Sequence, residues 1–282
     1  MAHATLELRR LDDYQSWQVR WGGTSILIDP WLSGEPIGGS FRREHTDWFV
    51  GKELLDRESV AAVLLCTGVS DHARPQTLAL LKDQRILGPS GAMAVARKSG
   101  CRQITRVKPA DVHVVACPDG GTLRITVTRT GLPLGMIAVG YLIEAIDAQE
   151  QLGGRIWIDP HLPGVKVAES VAPVDLALLP CHGVRAMVMP VTAGPQTIAD
   201  VARACAARTI VPTATDPRRD MSTWQRAMYR VDGGADIVQR LLGPDVQDVE
   251  VVPMVPGEVR RVEPGFPQRS ARRGPTSRPD ST

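Results

Sequence analysis

Four short stretches of the chain carry the residue types that bind metals or move protons. They are Asp29, at the end of Ile26-Leu27-Ile28; the dipeptide Asp71-His72; Asp159-Pro160-His161; and Cys181-His182. A histidine nitrogen and an aspartate oxygen both suit Zn²⁺ or a similar ion, and two adjacent loop residues can face one ion because no helical or strand period forces them apart. A carboxylate at a strand's C-terminal end, as at Asp29, can orient a neighbouring imidazole. Each stretch also has a plainer reading. Asp29 before Pro30 fits an Asx turn. Asp71, or Ser70, fits a helix cap ahead of Ala73–Leu81. His161 and His182 fit hydrogen-bonded residues at strand ends.

The elements expected to position these residues are strands mixed with helices. Leu6–Arg10, Trp17–Trp21 and Ser25–Ile28 read as strands, the last two joined by Gly22-Gly23. Ala61–Leu65 has the length and composition of a buried strand. Pro75–Leu81 and Ser90–Lys98 read as helices. Val112–Ala116 and Leu123–Arg129 form a hairpin across Asp119-Gly120-Gly121, and Val139–Ile146 and Arg155–Ile158 another across Gly153-Gly154. Asp175–Leu179 and Thr209–Val211 are buried strands flanking a helix at Pro195–Ala207. Ala235–Leu242 is a further helix, and Asp248–Met254 and Glu258–Val262 close the domain. Strands in each half with helices after them predict two strand layers covered by helices.

An internal repeat supports that layering. Ile26-Leu27-Ile28-Asp29-Pro30-Trp31-Leu32-Ser33-Gly34 recurs as Ile156-Trp157-Ile158-Asp159-Pro160-His161-Leu162-Pro163-Gly164, six of nine positions being identical. Cys66-Thr67-Gly68-Val69 recurs as Cys181-His182-Gly183-Val184, and Pro75-Gln76-Thr77 as Pro195-Gln196-Thr197. Three matches in one order imply a pseudo-twofold fold whose equivalent strand ends meet at one edge. The plainer reading is that Ile-Asp-Pro is a common way to leave a strand.

Composition narrows the function classes. The chain has 282 residues, 43% of them apolar, which is enough for a developed core. The longest apolar run, Val60 to Cys66, falls far short of the ~20 residues a membrane-spanning helix needs. The N-terminal residues show no basic region followed by an apolar stretch, so no secretory signal is expected. Five widely spaced cysteines with no C-x-x-C pair suit a reducing cytoplasm and argue against a disulfide framework or zinc ribbon. The formal net charge of +2 is concentrated in residues 264–282, where four arginines face Asp280 alone. Subtracting them from 33 basic and 31 acidic residues leaves 29 basic and 30 acidic in residues 1–263, a net of −1. The body is therefore near neutral, and neither a nucleic-acid nor a membrane partner is expected. The Pro-, Ser- and Arg-rich segment 264–282 is expected to be a disordered tail beside one domain at 1–263.

The order strand–Asp-Pro-Trp, then Thr67-Gly68-Val69-Ser70-Asp71-His72, then Gly140-Tyr141-Leu142-Ile143-Glu144, then Arg155-Ile156-Trp157-Ile158-Asp159-Pro160-His161, then Val174 to Pro180 and Thr209 to Thr213 resembles the metallo-β-lactamase superfamily and, within it, the lactonase-like branch. The resemblance covers about residues 5–215. It implies a four-layer αββα sandwich (α/β, or α+β) of two similar halves. It also implies the signature H-x-H-x-D-H, with later His, Asp and His ligands, for one or two metals that activate water.

The chemistry departs from that pattern. Thr67 and Val69 replace the first two histidines. No histidine stands near Arg129-Thr130-Gly131. The bridging aspartate aligns with His161, Asp159 lying two residues earlier, and the last histidine aligns with Ala214. The resemblance therefore implies loss of the dinuclear centre, with one divalent ion, zinc or manganese, held by Asp71, His72 and His161. Asp71 or Asp159 would act as general base, and Arg74, Arg129 and His182 would contact substrate. The implied reaction is hydrolysis of a small ester, lactone, thioester or phosphoester. The competing expectation is a catalytically inactive relative that binds a ligand or protein. Sequence leaves the oligomeric state open.

Overall fold

The computed structural model describes residues 4–12, 14–33, 60–214, 216–221, 223–243 and 249–265. The first sheet contains β1 (Leu6–Arg10), β2 (Trp17–Trp21), β3 (Thr24–Ile28), β4 (Val60–Leu64), β5 (Arg85–Gly88) and β6 (Gln103–Arg106). The second contains β7 (Val112–Ala116), β8 (Thr122–Arg129), β9 (Val139–Ile146), β10 (Leu152–Ile158) and β11 (Leu176–Leu179). β12 (His182–Ala186) and β13 (Met189–Thr192) follow, then β14 (Thr209–Pro212), β15 (Tyr229–Gly233), β16 (Glu250–Val251) and β17 (Val259–Val262). The first sheet runs β17-β1-β2-β3-β4-β5-β6 and the second β16-β14-β11-β10-β9-β8-β7. A small sheet, β13-β12-β15, stands apart.

Alternation along the strands makes the layers. In β3, Ile26 and Ile28 face inward, and in β10 so do Ile156 and Ile158. They meet Leu64, Ile125, Ile143 and Leu178 in one core between the two sheets. The intervening residues face outward. Leu27 and Val63 join a core beneath α1 (Pro75–Leu80) and α2 (Ser90–Lys98). Trp157 and Ala177 join another beneath α3 (Val165–Val171), α4 (Pro195–Ala204) and, beyond α5 (Thr223–Met228), α6 (Ala235–Leu242). In α4 the buried residues Ile198, Ala199, Val201 and Ala202 fall at helical spacing on one stripe. The order is helix, sheet, sheet, helix, a four-layer αββα sandwich.

The topology carries the repeat. β3 pairs parallel with β4, and β10 pairs parallel with β11. β4 continues to β5, and β11 to β14, again in parallel. The N–H of Asp29 bonds the carbonyl of Leu64 at 2.9 Å, and that of Asp159 bonds Leu178 at 3.1 Å. Both copies of the strand–Asp-Pro motif therefore leave the sheets in equivalent positions.

Several sequence expectations shift. Gly22 and Gly23 both take positive φ, as a two-residue hairpin turn requires. Gly153-Gly154 is not a turn. The chain reverses at Asp147–Gln151, where the Asp147 carboxylate accepts from the backbone N–H of Gln149 and Gln151. The glycines lie inside β10 at a register shift. A Cβ on Gly153 would stand 2.1 Å from the Trp21 indole, so glycine is needed there for close approach. The α4 helix ends at Ala204, three residues early, and the expected strand at 248–254 shrinks to Glu250–Val251. Gly265, assigned by sequence to the tail, donates its N–H to Asp175. Residues 266–282 of that tail lie outside the described residues. Among the described residues no helix is long and apolar enough to cross a membrane.

Candidate functional site

The site sits where the two repeat motifs leave their sheets. Asp29 takes a left-handed conformation, φ 44°, which aspartate tolerates better than most residues. Its buried carboxylate then does two things. Oδ1 accepts from the N–H of Cys66 at 2.8 Å, and Oδ2 meets Nδ1 of His72 at 2.8 Å. A carboxylate only accepts, so Nδ1 of His72 carries the proton and the other ring nitrogen, Nε2, is left for chemistry.

The loop bearing Asp71-His72 is pinned from several directions. The N–H groups of His72 and Ala73 bond the carbonyl of Val69, and Tyr141 Oη donates to Leu65 O at 2.8 Å. Tyr14 Oη donates to Asp71 Oδ2 at 2.9 Å, and Gln15 Nε2 donates to the Asp71 carbonyl. Asp71 does not cap α1. That helix begins behind Arg74 with no side-chain cap.

The second motif is tied down differently. Asp159 is fully buried. Its Oδ1 accepts from Thr130 Oγ1 at 2.8 Å and from the N–H of His161 at 3.0 Å, while Oδ2 has no partner. Thr130 Oγ1 in turn accepts from the N–H of Leu162. These bonds seat the His161 ring against that of His72, with centroids 4.8 Å apart and planes inclined by 27°. Two imidazoles separated by 89 positions in sequence thus lie face to face. Nε2 of His72 is 3.8 Å from Asp71 Oδ2.

Burial and charge divide the titratable groups. Burial alone would lower the His72 pKa, but the carboxylates of Asp29 and Asp71 and the bond to Asp29 outweigh it and raise it above 6.5. His161 goes well below 6.5, first through burial and then through its neighbour His72. Burial raises Asp159 to about 7 despite the hydrogen bonds it accepts. Asp159 therefore keeps its proton in the folded chain until near neutrality, whereas unfolded it ionises near a pKa of about 3.9. The folded state holds the extra proton between those values, so this group's contribution to stability falls as pH rises from about 4 to about 7. Asp159→Asn should remove that dependence. Denaturant unfolding of metal-stripped samples at the two ends of this range checks it, the wild-type chain losing more stability with rising pH than the variant.

Asp71, His72, His161 and His182 line one cavity of about 220 Å³, with Tyr14, Thr67 and mostly apolar neighbours. His182 opens β12 on the side where Nε2 lies 3.9 Å from Asp216 Oδ2, and burial lowers its pKa. The remaining sequence candidates lie elsewhere. Asp29 stands behind His72 and Asp159 beneath His161. Arg74 is buried with its guanidinium 4.3 Å from the Trp31 ring, and Arg129 is exposed at the end of β8. None of these four lines the cavity. Sequence reasoning missed Tyr14 and Gln15, which carry no motif and sit more than fifty positions from Asp71. Thr130 was signalled only as a place where the family pattern lacks its histidine.

The αββα layers and a site at the strand ends define the metallo-β-lactamase fold. The chain belongs to the β-lactamase superfamily, whose domain model matches residues 12–214. Solved structures share the fold. The diiron β-hydroxylase CmlA from Streptomyces venezuelae is 17% identical with a TM-score of 0.59, over 93% of this chain and 54% of that one. This chain therefore spans about half the length of that protein. Igni18, a metallo hydrolase from Ignicoccus hospitalis, is 14% identical with a TM-score of 0.62, over 93% of this chain and 100% of that one. The isothiocyanate hydrolase from Delia radicum gut bacteria is 17% identical with a TM-score of 0.61, over 91% and 99%. No curated protein matches the chain.

A dinuclear centre does not fit the described residues as they stand. Thr67, Val69 and Ala214 carry no imidazole, and Thr130 donates its hydroxyl to Asp159. Among the described residues no three His, Cys, Asp or Glu side chains are gathered closely enough to hold a metal as they stand. The donor chemistry for one ion is nonetheless present on one cavity wall. Nδ1 of His161 is buried with no hydrogen-bond partner, and a buried polar atom without a partner calls for an explanation such as an ion or water.

Proposed function

We propose that the chain is a divergent hydrolase of this superfamily that cleaves a small ester, lactone, thioester or phosphoester, with one divalent ion, zinc or manganese, served by Asp71, His72 and His161. The observation that carries this reading is the meeting of two imidazoles and a carboxylate on one cavity wall, with one imidazole fixed by a buried aspartate. Such an ion, when bound, lowers the pKa of water so that hydroxide is available at neutral pH.

The chain's own groups supply the rest. Asp29 holds the proton of His72 on Nδ1 and keeps Nε2 turned to the cavity. Tyr14 holds Asp71 by one oxygen, leaving the other to take a proton from water. Asp159 acts through the backbone, seating His161 without reaching the cavity itself. Apolar walls limit competing water.

A second reading, a member of the fold that binds a ligand without catalysis, draws on the lost histidines and on the lack of a three-donor cluster among the described residues. Elemental analysis of protein purified without chelator separates the two. About one equivalent of metal, with metal-dependent turnover in a small hydrolase panel, is the expected result. Absence of both metal and turnover would leave the binder.

A further inference from the structure

The hairpin that walls one side of the cavity ends in an apolar tip. Val184 of β12 and Val191 of β13 line the cavity, and the two strands close at the pair Ala186 and Met189 around the turn Met187-Val188. Two-residue turns favour asparagine and glycine, because their backbone takes positive φ. Here Met187 adopts φ 55°, and Val188 beside it is 92% exposed. Met187 and Met189 are exposed as well. The α5 helix extends the patch. The N–H of Met187 bonds the carbonyl of Met228, the last residue of α5, and exposed Trp224 stands one turn earlier on that helix.

Cations frame the tip. Arg185 and Arg230 are exposed and directly opposite each other across β12 and β15, one register step from the turn. Like charges so placed repel. Neither pairs with a described carboxylate, although Asp232 stands two residues from Arg230 on the same face. The near-neutral charge of the whole body is an average and does not describe this patch.

We propose that the tip docks the chain on an anionic lipid bilayer. Met187, Val188 and Met189 enter the acyl boundary, Trp224 lies at the interface, and Arg185 and Arg230 meet lipid phosphates. Two observations favour a bilayer over a second copy of the chain. A twofold contact at the tip would gather the arginines of both copies. The tip is also convex, with Val188 at its apex, which suits a soft surface that it can enter. Because the cavity wall continues into the tip, docking presents the cavity mouth to the lipid. The inference stands apart from hydrolysis, since it assigns where the chain binds and not what it cleaves.

Flotation of the full chain with vesicles tests this. Binding is expected to phosphatidylcholine vesicles holding about 30% phosphatidylserine, and only weakly to phosphatidylcholine alone. Val188→Asp and Arg185→Glu should each lower the partition coefficient by about fivefold or more. The protein's tryptophan emission should shift to shorter wavelength on the anionic vesicles, and Trp224→Phe should abolish that shift. Met187→Asn guards against a trivial loss of fold. Asparagine suits the turn, so the thermal midpoint should hold or rise while vesicle binding falls. Binding left unchanged by Val188→Asp and Arg185→Glu would belong to the basic segment 264–282 and overturns the inference. Equal binding to both kinds of vesicle, or to neither, overturns it as well.

Discussion

In His161→Ala protein, metal content is expected to fall to near zero and hydrolysis to drop by about 10²-fold or more, with the thermal midpoint held near that of the unaltered chain. The reason lies in how little the fold asks of this ring. His161 is anchored by its backbone: its N–H goes to Asp159, and its carbonyl accepts from Ala193. Alanine keeps both bonds. The side chain itself leaves Nδ1 buried without a partner, so its removal relieves one unpaired polar atom while giving up the stacking on His72. These effects oppose each other, and stability should move little. Asp71→Ala tests the same site through its carboxylate, losing the acceptor that Tyr14 Oη bonds. Elemental analysis beside circular dichroism reads both variants. Normal metal content in both would remove Asp71 and His161 from any metal site.

The architecture was legible because the repeat is local and the alternation strict. Ile26-Leu27-Ile28 and Ile156-Trp157-Ile158 each put two residues into the inter-sheet core and one into a helix-covered face, and that pattern can be read from the letters. The short strands were not legible. Gln103–Arg106 is largely exposed, and its pairing with β5 depends on a neighbour rather than on its own composition. Gly153-Gly154 misled for a related reason. Two glycines signal a turn, but here the Trp21 ring across the core demands a missing Cβ.

At the site, the polar groups in the sequence motifs were found, and the groups that hold them were not. Asp71 and His72 are adjacent in sequence, and the duplicated Asp-Pro points to His161. Tyr14 and Thr130 reach the site only through the packing of the sheets, so no spacing rule announces them. Arg74 lies away from the described cavity for a physical reason. The guanidinium of Arg74 stacks on an indole inside the protein, a position open to arginine's flat, weakly hydrated cation.

Asp29 is where stability and chemistry separate most cleanly. Asp29→Ala removes the acceptor of two buried donors at once, the N–H of Cys66 and Nδ1 of His72. Each such orphan costs about 1–3 kcal/mol, so the variant is expected to lose roughly 2–6 kcal/mol, with a further penalty for placing alanine at positive φ. Asp29→Asn behaves differently. Its side-chain oxygen can still accept from Cys66, and asparagine tolerates the left-handed backbone, so most of the stability should remain. Its amide nitrogen, however, donates to Nδ1 of His72 where the carboxylate accepted. The imidazole proton then moves to Nε2, and the lone pair facing the cavity is lost. Metal affinity should fall by about 10- to 100-fold in a protein that unfolds within about 1 kcal/mol of the original. Denaturant titration and competitive metal binding on the two variants read these effects independently. A merely structural Asp29 would give an asparagine variant that binds metal normally, and the orienting role assigned to it would then be wrong.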